Sequence, residues 1–313
     1  MTRSVNGILI VDKPSGLTSH DVVARVRRIL KQKAVGHLGT LDPLATGVLP
    51  LVLGSMTRLA QFYLASEKSY EGVIRFGFAT DTYDADGEPV GEQIEPSLKL
   101  EQVRELAGTF RGVIQQMPPP FSAKKIRGVP AYKLARKKKE TSLKPVQVEI
   151  KEFEITNLNG MCTAFRAHVA SGTYLRSVAH DLGQLAGCGA HLESLRRTAV
   201  AEFSLEDAHT LEQLEQAASN LETGAPLLPD VGRSRDFNIA TTDLFVHPRK
   251  LLPSLPVVTA TDELVARIRQ GQPVNLPELS RSREVKVFRG QHDLIAIATR
   301  VAGTLFHPRI VLG

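Results

Sequence analysis

Hydrophobic residues follow two patterns along the chain, and both predict regular structure. Continuous apolar runs at 7–11 and 48–53 are typical of buried strands, and the alternating stretch at 69–78 also predicts a strand. Two further strands are expected at 146–156 and 162–170. Together with the helical stretches between them, these runs indicate a protein of mixed α and β structure.

Apolar residues at helical spacing predict the helices. Ser19 is expected to be the N-cap of the first helix, because Val22, Val23 and Val26 follow with helical spacing. Asp21 in its first turn suits the positive end of the helix dipole. Three further helices are predicted, at 100–106, 174–186 and 262–270.

Proline-rich stretches divide the chain into parts. The Met117-Pro118-Pro119-Pro120 stretch and the later Lys144-Pro145 pair mark 117–146 as an insertion that projects from the main sheet. Composition changes again after residue 223, and the short β-like runs at 285–288 and 294–299 predict a small β-rich appendage. We therefore expect a large domain over 1–245 and a small one over 246–313.

The positive charge of the chain is concentrated in the insertion. The 313 residues carry a formal net charge of +6, yet residues 124–139 alone hold eight basic side chains and no acid. This density is expected of an element that contacts phosphates, and the alternative is a solvated basic helix or loop. The basic residues are Lys124, Lys125, Arg127, Lys133, Arg136, Lys137, Lys138 and Lys139.

The composition also indicates the cellular compartment in which the protein is expected. No apolar run is long enough to span a membrane, and the first residues lack the apolar core of a secretion signal. Cys162 and Cys188 are too few and too far apart for a disulfide framework or a cysteine-rich zinc site, so both are read as inert thiols. A cytoplasmic protein without membrane contact is expected.

The sequence lacks the motifs of several familiar calcium, dinucleotide and zinc sites. The stretch 82–87 resembles the start of a calcium-binding loop, but Gln93 stands where the required glutamate should be, so a polar turn at 81–87 is expected. The stretch 187–192 lacks the last glycine of a dinucleotide fingerprint. The zinc deaminase motif and an HExxH pair are also absent from the sequence, so no metal site is predicted.

One carboxylate, Asp42, lies in a segment built from turn-forming and short residues. Gly39 and Gly47 permit tight turns or a close backbone approach, and Pro43 favours an extended conformation at Asp42. A carboxylate held in this way is a candidate nucleophile, general base or metal ligand. The alternative is that Asp42 only accepts hydrogen bonds within a turn.

Four motifs in fixed order identify a family resemblance. They are Lys13-Pro14-Ser15-Gly16-Leu17-Thr18-Ser19, Gly36-His37-Leu38-Gly39-Thr40-Leu41-Asp42-Pro43, Lys68-Ser69-Tyr70 and Gly172-Thr173-Tyr174-Leu175-Arg176. With them, residues 5–205 closely resemble the TruB family of tRNA pseudouridine synthases. The C-terminal stretch resembles the small RNA-binding PUA-type domain of that family more weakly.

This resemblance implies a fold and a reaction. The fold is α+β, with a mixed central sheet flanked by helices and a small C-terminal PUA-like barrel. The reaction is the isomerisation of uridine to pseudouridine at position 55 in the T-loop of tRNA, without metal or cofactor. The target base must leave its stack before the enzyme can act on it. Asp42 maps to the catalytic carboxylate, and attack on the base and attack on the ribose both remain open.

The resemblance also assigns roles to other residues. Tyr70 matches a tyrosine that stacks on the uracil, and Arg176 matches an arginine that pairs with the catalytic carboxylate, here expected to be bidentate. His37 matches a histidine that fills the space left by the flipped base, and Leu195 maps to the pocket wall. Lys13 and Tyr174 are expected to support the site. From the residues alone, a loop-bonded histidine, a core tyrosine and a surface arginine are the competing interpretations.

Two other functions stay open at this stage. One is a non-catalytic RNA-binding or RNA-folding protein, and the combination of Asp42, Tyr70 and Arg176 argues against it. The other is a guide-RNA-dependent relative in a ribonucleoprotein, and the absence of long basic tails from the sequence and the bacterial-type insertion favour a stand-alone enzyme. A monomer that binds the T-arm of tRNA is the default expectation.

Overall fold

The fold is described from a computed structural model, which covers residues 5–121, 125–126, 129–130, 144–223, 244–278 and 280–312. The strands of this part of the chain are β1 (Gly7–Lys13), β2 (Val35–His37), β3 (Thr46–Leu53), β4 (Lys68–Phe76), β5 (Ala79–Thr80), β6 (Pro89–Val90), β7 (Gly112–Gln116), β8 (Lys125–Ile126), β9 (Val129–Pro130), β10 (Val146–Asn159), β11 (Cys162–Val169), β12 (Ala190–Val200), β13 (Phe203–Ser204), β14 (Ala208–His209), β15 (Val257–Thr259), β16 (Val274–Asn275), β17 (Glu284–Arg289), β18 (Asp293–Ala302) and β19 (Leu305–Val311). The helices are α1 (Ser19–Ile29), α2 (Leu100–Gly108), α3 (Leu175–Leu185), α4 (Leu211–Thr223) and α5 (Asp262–Arg269), with 3-10 helices at Gly54–Tyr63, Leu205–Asp207 and Pro248–Lys250.

A ten-stranded mixed sheet forms the centre of the molecule. Its order is β14-β1-β3-β12-β4-β11-β10-β7, with β2 paired to β3 and β13 paired to β12. The pairs β1/β14 and β3/β12 are parallel and the other pairs of the path are antiparallel. The predicted mixed central sheet is therefore confirmed.

Strands β1 and β3 are buried on both faces. In β1, Ile8 and Ile10 join one hydrophobic cluster, while Leu9 and Val11 join another that includes α1 and α4. Because neither face meets water, apolar and polar residues do not alternate along the strand, and its sequence is continuously apolar. This explains why the two apolar runs of the N-terminal region predicted strands correctly.

Helix α1 begins one residue earlier than the sequence pattern indicated. Thr18 is the N-cap, since its side chain accepts a hydrogen bond from the Asp21 amide, and the Asp21 carboxylate accepts one from the Thr18 amide. This reciprocal capping box satisfies two amides at the helix end. The expectation of a Ser19 N-cap was wrong because Ser19 is buried and bonded to Leu41.

The C-terminal sheet is smaller and packs on the large one. Its order is β15-β17-β18-β19-β16, which confirms the expected β-rich appendage. Leu251, Phe288 and Ile297 lie in the same hydrophobic cluster as Ile8 and Ile10 of β1. The predicted boundary at 245/246 stays a prediction, because Val246 donates to the Ile8 carbonyl at 2.9 Å and this segment bonds to the large sheet.

The predicted insertion lies mostly outside the described residues. Strands β8 and β9 form a short hairpin within it. The side chains of Lys124, Lys125, Arg127, Lys137, Lys138 and Lys139 lie outside the described part, so their expected phosphate contacts stay predictions. Among the described residues, no helix combines the length and the apolar character that a membrane span requires.

Candidate active site

A cavity of about 330 Å³ opens where the centre of the large sheet meets the loop between β2 and β3. The end of the first 3-10 helix, β4, β12 and the turn before α3 complete its wall. The sequence-predicted residues among its lining are His37, Asp42, Tyr70, Tyr174, Arg176 and Leu195. Residues from three of the four motifs, together with Leu195, thus meet in one site.

The loop that carries Asp42 is held by the guanidinium of Arg197. This side chain is fully buried. It donates to the carbonyls of Gly39 at 3.1 Å, Thr40 at 3.2 Å and Val48 at 2.8 Å. A buried arginine needs such partners, because an unpaired charge in the interior is costly. Arg197 therefore fixes the backbone of the loop on both sides of Asp42.

Lys13 supports the same loop from below. Its Nζ donates to the carbonyls of Leu17 at 2.6 Å, Pro14 at 2.8 Å and Pro43 at 3.2 Å, and the residue is fully buried. Burial lowers the pKa of Lys13 to about 8, while the nearby Asp42 carboxylate opposes this shift. Lys13 does not line the cavity, so the geometry fits the supporting role expected of it.

A serine completes the support of the loop. Ser19 Oγ accepts a hydrogen bond from the Leu41 amide at 2.8 Å and donates to the Leu41 carbonyl at 3.1 Å. The neighbouring Gly39 has a φ of +133°, a conformation that L side chains rarely adopt. Arg197, Lys13 and Ser19 thus constrain the loop. The glycine and proline pattern predicted a constrained loop but did not identify these three supporting residues.

Arg176 lies beneath the Asp42 carboxylate and joins it to a second acid. Its Nε is 2.9 Å from Asp42 Oδ2, and its Nη1 is 3.3 Å from Asp84 Oδ2. Nη1 also donates to the Thr82 carbonyl at 3.1 Å, and Nη2 donates to the Phe121 carbonyl at 3.0 Å. The contact with Asp42 is therefore a single close ion pair, and the expected bidentate pairing was wrong.

The exposure of these side chains shows which carboxylate faces the cavity. The Asp42 side chain is 39% exposed, whereas those of Arg176 and Asp84 are each 7% exposed. Asp42 is therefore the carboxylate that faces the cavity, and Asp84 is the buried one. The sequence did not identify Asp84 as a residue of the site. The predicted polar turn at 81–87 contains Asp81, Asp84 and Asp86, and no local pattern distinguishes the acid that becomes buried.

Tyr70 and Leu195 reach the cavity from adjacent antiparallel strands, β4 and β12. Tyr70 is the register partner of Arg197, so the tyrosine lies beside the arginine that holds the Asp42 loop. Tyr174 precedes α3, where the Gln116 side chain bonds both its amide and its carbonyl at 2.8 and 3.0 Å.

His37 contacts both the cavity and its own loop. The residue lines the cavity at the end of β2, and its Nδ1 accepts a hydrogen bond from the Gly39 amide at 3.3 Å. Burial, together with the nearby His20 and Arg197, lowers the pKa of His37. A neutral imidazole suits insertion beside nucleobases, because it costs less to desolvate than a cation.

Two further lining residues were not identified from sequence. Lys68 belongs to the same motif as Tyr70, and its Nζ donates to the Ser66 carbonyl at 2.6 Å. Burial, with the nearby Arg197 charge, lowers the pKa of Lys68 to about 8. Leu64 lines the same wall and is largely exposed. Lys68 could have been found from its place beside Tyr70, whereas Leu64 has no sequence signal.

The arrangement can carry nucleophilic or general base chemistry on a planar, uncharged ligand. Asp42 presents its carboxylate to the cavity, and Tyr70 and Leu195 supply flat and apolar wall. Within the described ranges, no group of three or more histidine, cysteine or acidic side chains could hold a metal ion. Lys68 contributes a positive charge to the cavity wall, whereas Arg176 is paired with Asp42 and Asp84, and Arg197 is fully buried.

Comparisons with known proteins agree with this geometry. The family model for the N-terminal domain of TruB family pseudouridylate synthases matches residues 27–175, and that for a tRNA pseudouridylate synthase B C-terminal domain matches residues 176–228. A tRNA pseudouridine synthase B of Solibacter usitatus is 47% identical over 98% of the chain and 100% of its own length. The Vibrio campbellii protein of the same name is 36% identical over 93% and 90%.

Solved structures show the same fold. A chain from an H/ACA ribonucleoprotein bound to a substrate RNA containing 2'-deoxyuridine aligns with a TM-score of 0.68 over 98% of this chain and 85% of its own, at 23% identity. A chain of a Cbf5-Nop10-Gar1 complex aligns with a TM-score of 0.66 over 95% and 79%, at 26% identity. The expected pseudouridine synthase fold is thereby confirmed. The chain belongs to the TruB family of pseudouridylate synthases, enzymes that isomerise uridine to pseudouridine.

Proposed function

We propose that this protein isomerises the uridine at position 55 in the T-loop of tRNA and that Asp42 is its nucleophile. The observation that carries the proposal is the Asp42 carboxylate, exposed to the cavity and paired at 2.9 Å with the buried Arg176. The substrate class follows from the relatives, which share the name tRNA pseudouridine synthase B at 36–47% identity.

The reaction needs only an exchange of bonds within one nucleotide. The bond from ribose C1′ to uracil N1 breaks, a bond from C1′ to C5 forms, the C5 proton leaves and N1 gains a proton. Asp42 starts this sequence by attack on the base or on the ribose, because an ionised carboxylate needs no activating base. Tyr70 lines the cavity and is positioned to stack on the uracil and assist removal of the C5 proton.

The target base has to leave the RNA stack before it reaches Asp42. Such flipping costs a few kcal/mol, which protein contacts must repay. We assign the filling of the vacated space to His37, which lines the cavity on the same loop as Asp42. We assign phosphate contacts to the basic insertion and a further RNA contact to the C-terminal sheet. This substrate implies a cytoplasmic protein, and the monomeric state stays a prediction.

The test is Asp42→Asn, assayed by tritium release from tRNA labelled at uridine C5. We expect the variant to lose at least about 10³-fold in rate, since the amide cannot act as nucleophile. tRNA binding, measured by filter retention, should stay near the wild-type value. Asp262→Asn, at an exposed site in the first turn of α5, is the matched control. Measurable turnover by Asp42→Asn would remove this residue from its role.

The same assay separates the remaining functions. Tritium release from the labelled tRNA by the purified wild-type protein, with no guide RNA and no partner protein added, excludes a guide-dependent enzyme and a purely non-catalytic chaperone. A transcript with cytidine in place of uridine 55 should release no tritium from its other labelled positions. Continued release from that transcript would refute the assignment of position 55 and leave the proposed chemistry intact.

A further inference from the structure

Leu64 is an apolar side chain displayed at the mouth of the cavity. It is 74% exposed, more than any other large hydrophobic residue in the described part of the chain. It also forms part of the cavity wall, between Tyr63 and Lys68. A leucine held in water at the entrance of a site forgoes the stability that burial would give it.

The turn that carries Leu64 is firmly anchored. The Leu64 carbonyl accepts a hydrogen bond from Ser171 Oγ at 2.8 Å, which ties the turn to the loop before α3. The preceding Tyr63 is 3% exposed and donates to Glu202 at 2.6 Å. On the other side, Glu67 pairs with His168 at 2.8 Å. The exposure of Leu64 is therefore a property of a fixed backbone.

The surroundings of Leu64 point to an RNA ligand. Ala65 and Ser66 beside it in the chain are small and add little apolar surface next to the leucine, whereas a stable protein interface would require many more apolar residues. Lys68 and His37 line the same cavity. Isolated leucines inserted beside bases are a known means of holding nucleic acids in an opened state, and nearby cations bind the phosphates.

We propose that Leu64 packs against the nucleotide adjacent to the target uridine and so holds the T-loop open while the uridine occupies the cavity. The inference rests on the proposed function. When a base leaves its stack, the faces of its neighbours lose their partners, and an apolar side chain can cover one of them. His37 would fill the vacated space, and Leu64 would cover the neighbouring base or its ribose.

The experiment compares three variants: Leu64→Ala, Leu64→Met and Leu185→Ala. Leu185 is 55% exposed at the end of α3 and does not line the cavity, so it is the matched control for loss of an exposed leucine. Leu64→Ala should lower kcat/KM for tRNA by about tenfold, the effect expected when part of a leucine contact is lost. Leu64→Met should retain most of the activity, and Leu185→Ala should match the wild type.

A second measurement reports the opened RNA itself. A T-arm with 2-aminopurine next to the target uridine becomes more fluorescent when that base loses its stacking neighbour. The wild-type protein should raise the fluorescence, and Leu64→Ala should raise it less at saturating protein. Unchanged melting temperatures would show that the variants fold, as expected for a side chain that is 74% exposed.

The outcomes separate this inference from the proposed function. If Leu64→Ala equals Leu185→Ala in both kcat/KM and fluorescence, the Leu64 contact is wrong even though the enzyme is active. If the wild-type protein opens the T-arm but releases no tritium, the proposed reaction is wrong, and the fluorescence of Leu64→Ala still decides the contact. Equal loss in Leu64→Met and Leu64→Ala would also overturn the proposal, because methionine preserves apolar contact area.

Discussion

At the scale of single residues, Arg176 is the link between Asp42, the proposed nucleophile, and the rest of the site. Its three nitrogens reach Asp42, Asp84 and the carbonyls of Thr82 and Phe121. The bidentate geometry expected from sequence would have used two nitrogens on Asp42 alone. Because the guanidinium instead bridges four groups, it sets the position of Asp42 relative to the turn at 81–87.

Arg176→Lys should therefore be strongly impaired although the charge is kept. A lysine ammonium is a compact donor and cannot span the distances that the planar guanidinium bridges. We expect a loss of about 10²-fold in the single-turnover rate of tritium release, the size typical of a misplaced catalytic group. The tRNA affinity should change little, because Arg176 is buried under Asp42.

The matched control for this variant is Arg104→Lys. Arg104 lies on α2, and its Nε donates to the Ile155 carbonyl at 3.1 Å outside the cavity. Near-normal turnover by Arg176→Lys would show that positive charge alone suffices and that the bridging geometry has no catalytic role. A loss confined to affinity would contradict the assignment of Arg176 to the chemical step.

The sequence could supply some of these residues but not others. Asp42, Tyr70 and Arg176 stood in motifs, so a family resemblance located them before their contacts were known. Asp84 and Arg197 reach the site through burial, which depends on tertiary packing and leaves no periodic signal. A charged residue is normally expected at the surface, and only the folded chain shows that Arg197 is fully buried among backbone carbonyls.

At the scale of elements, the parallel contact between β3 and β12 determines where the Asp42 loop lies. Gly47 and Arg197 are register partners at this contact. Gly47 has a φ of +101°, and a Cβ there would lie 2.2 Å from the Arg197 carbonyl oxygen. The absence of a side chain at Gly47 thus permits the close approach that brings Arg197 to the loop carbonyls.

Gly47→Ala should destabilise the protein by at least about 3 kcal/mol, since it combines backbone strain with a clash against main chain. Gly160→Ala is the matched control, because Gly160 also has a positive φ, +57°, but a Cβ there would meet no atom within 4 Å. That control should cost only about 1–2 kcal/mol. Urea unfolding of both variants measures the difference, and equal losses would mean that β3 and β12 can separate without cost.

The elements were more predictable than the residues of the site. The buried runs in β1 and β3 and the helical spacing of α1, α2, α3 and α5 came directly from hydrophobic patterns. Strand β12 was missed, because Glu193, Arg196 and Arg197 interrupt the apolar alternation that identifies strands. Of these residues, Arg197 holds the Asp42 loop, and residues that support a functional site are where local rules are expected to fail.

At the scale of the whole molecule, the two sheets share one hydrophobic cluster. Phe288 and Ile297 of the small sheet lie in it together with Ile10, Val48 and other residues of the large sheet. Polar contacts close the same junction. Arg58 donates to the Val311 carbonyl at 2.7 Å, and Arg309 donates to Gln61 at 3.0 Å. An apolar junction of this kind favours joint folding over independent domain motion.

We therefore expect the sheets to unfold as one cooperative unit. Phe288 is fully buried in the shared cluster, so Phe288→Ala should cost about 3–5 kcal/mol. Native-state hydrogen exchange should show this loss equally at the amides of β3 and β18, although only β18 is in the small sheet. Val301→Ala, at a 61% exposed site in β18, should leave both strands unchanged. Faster exchange in β18 with β3 unaltered would show instead that the small sheet opens independently of the large one.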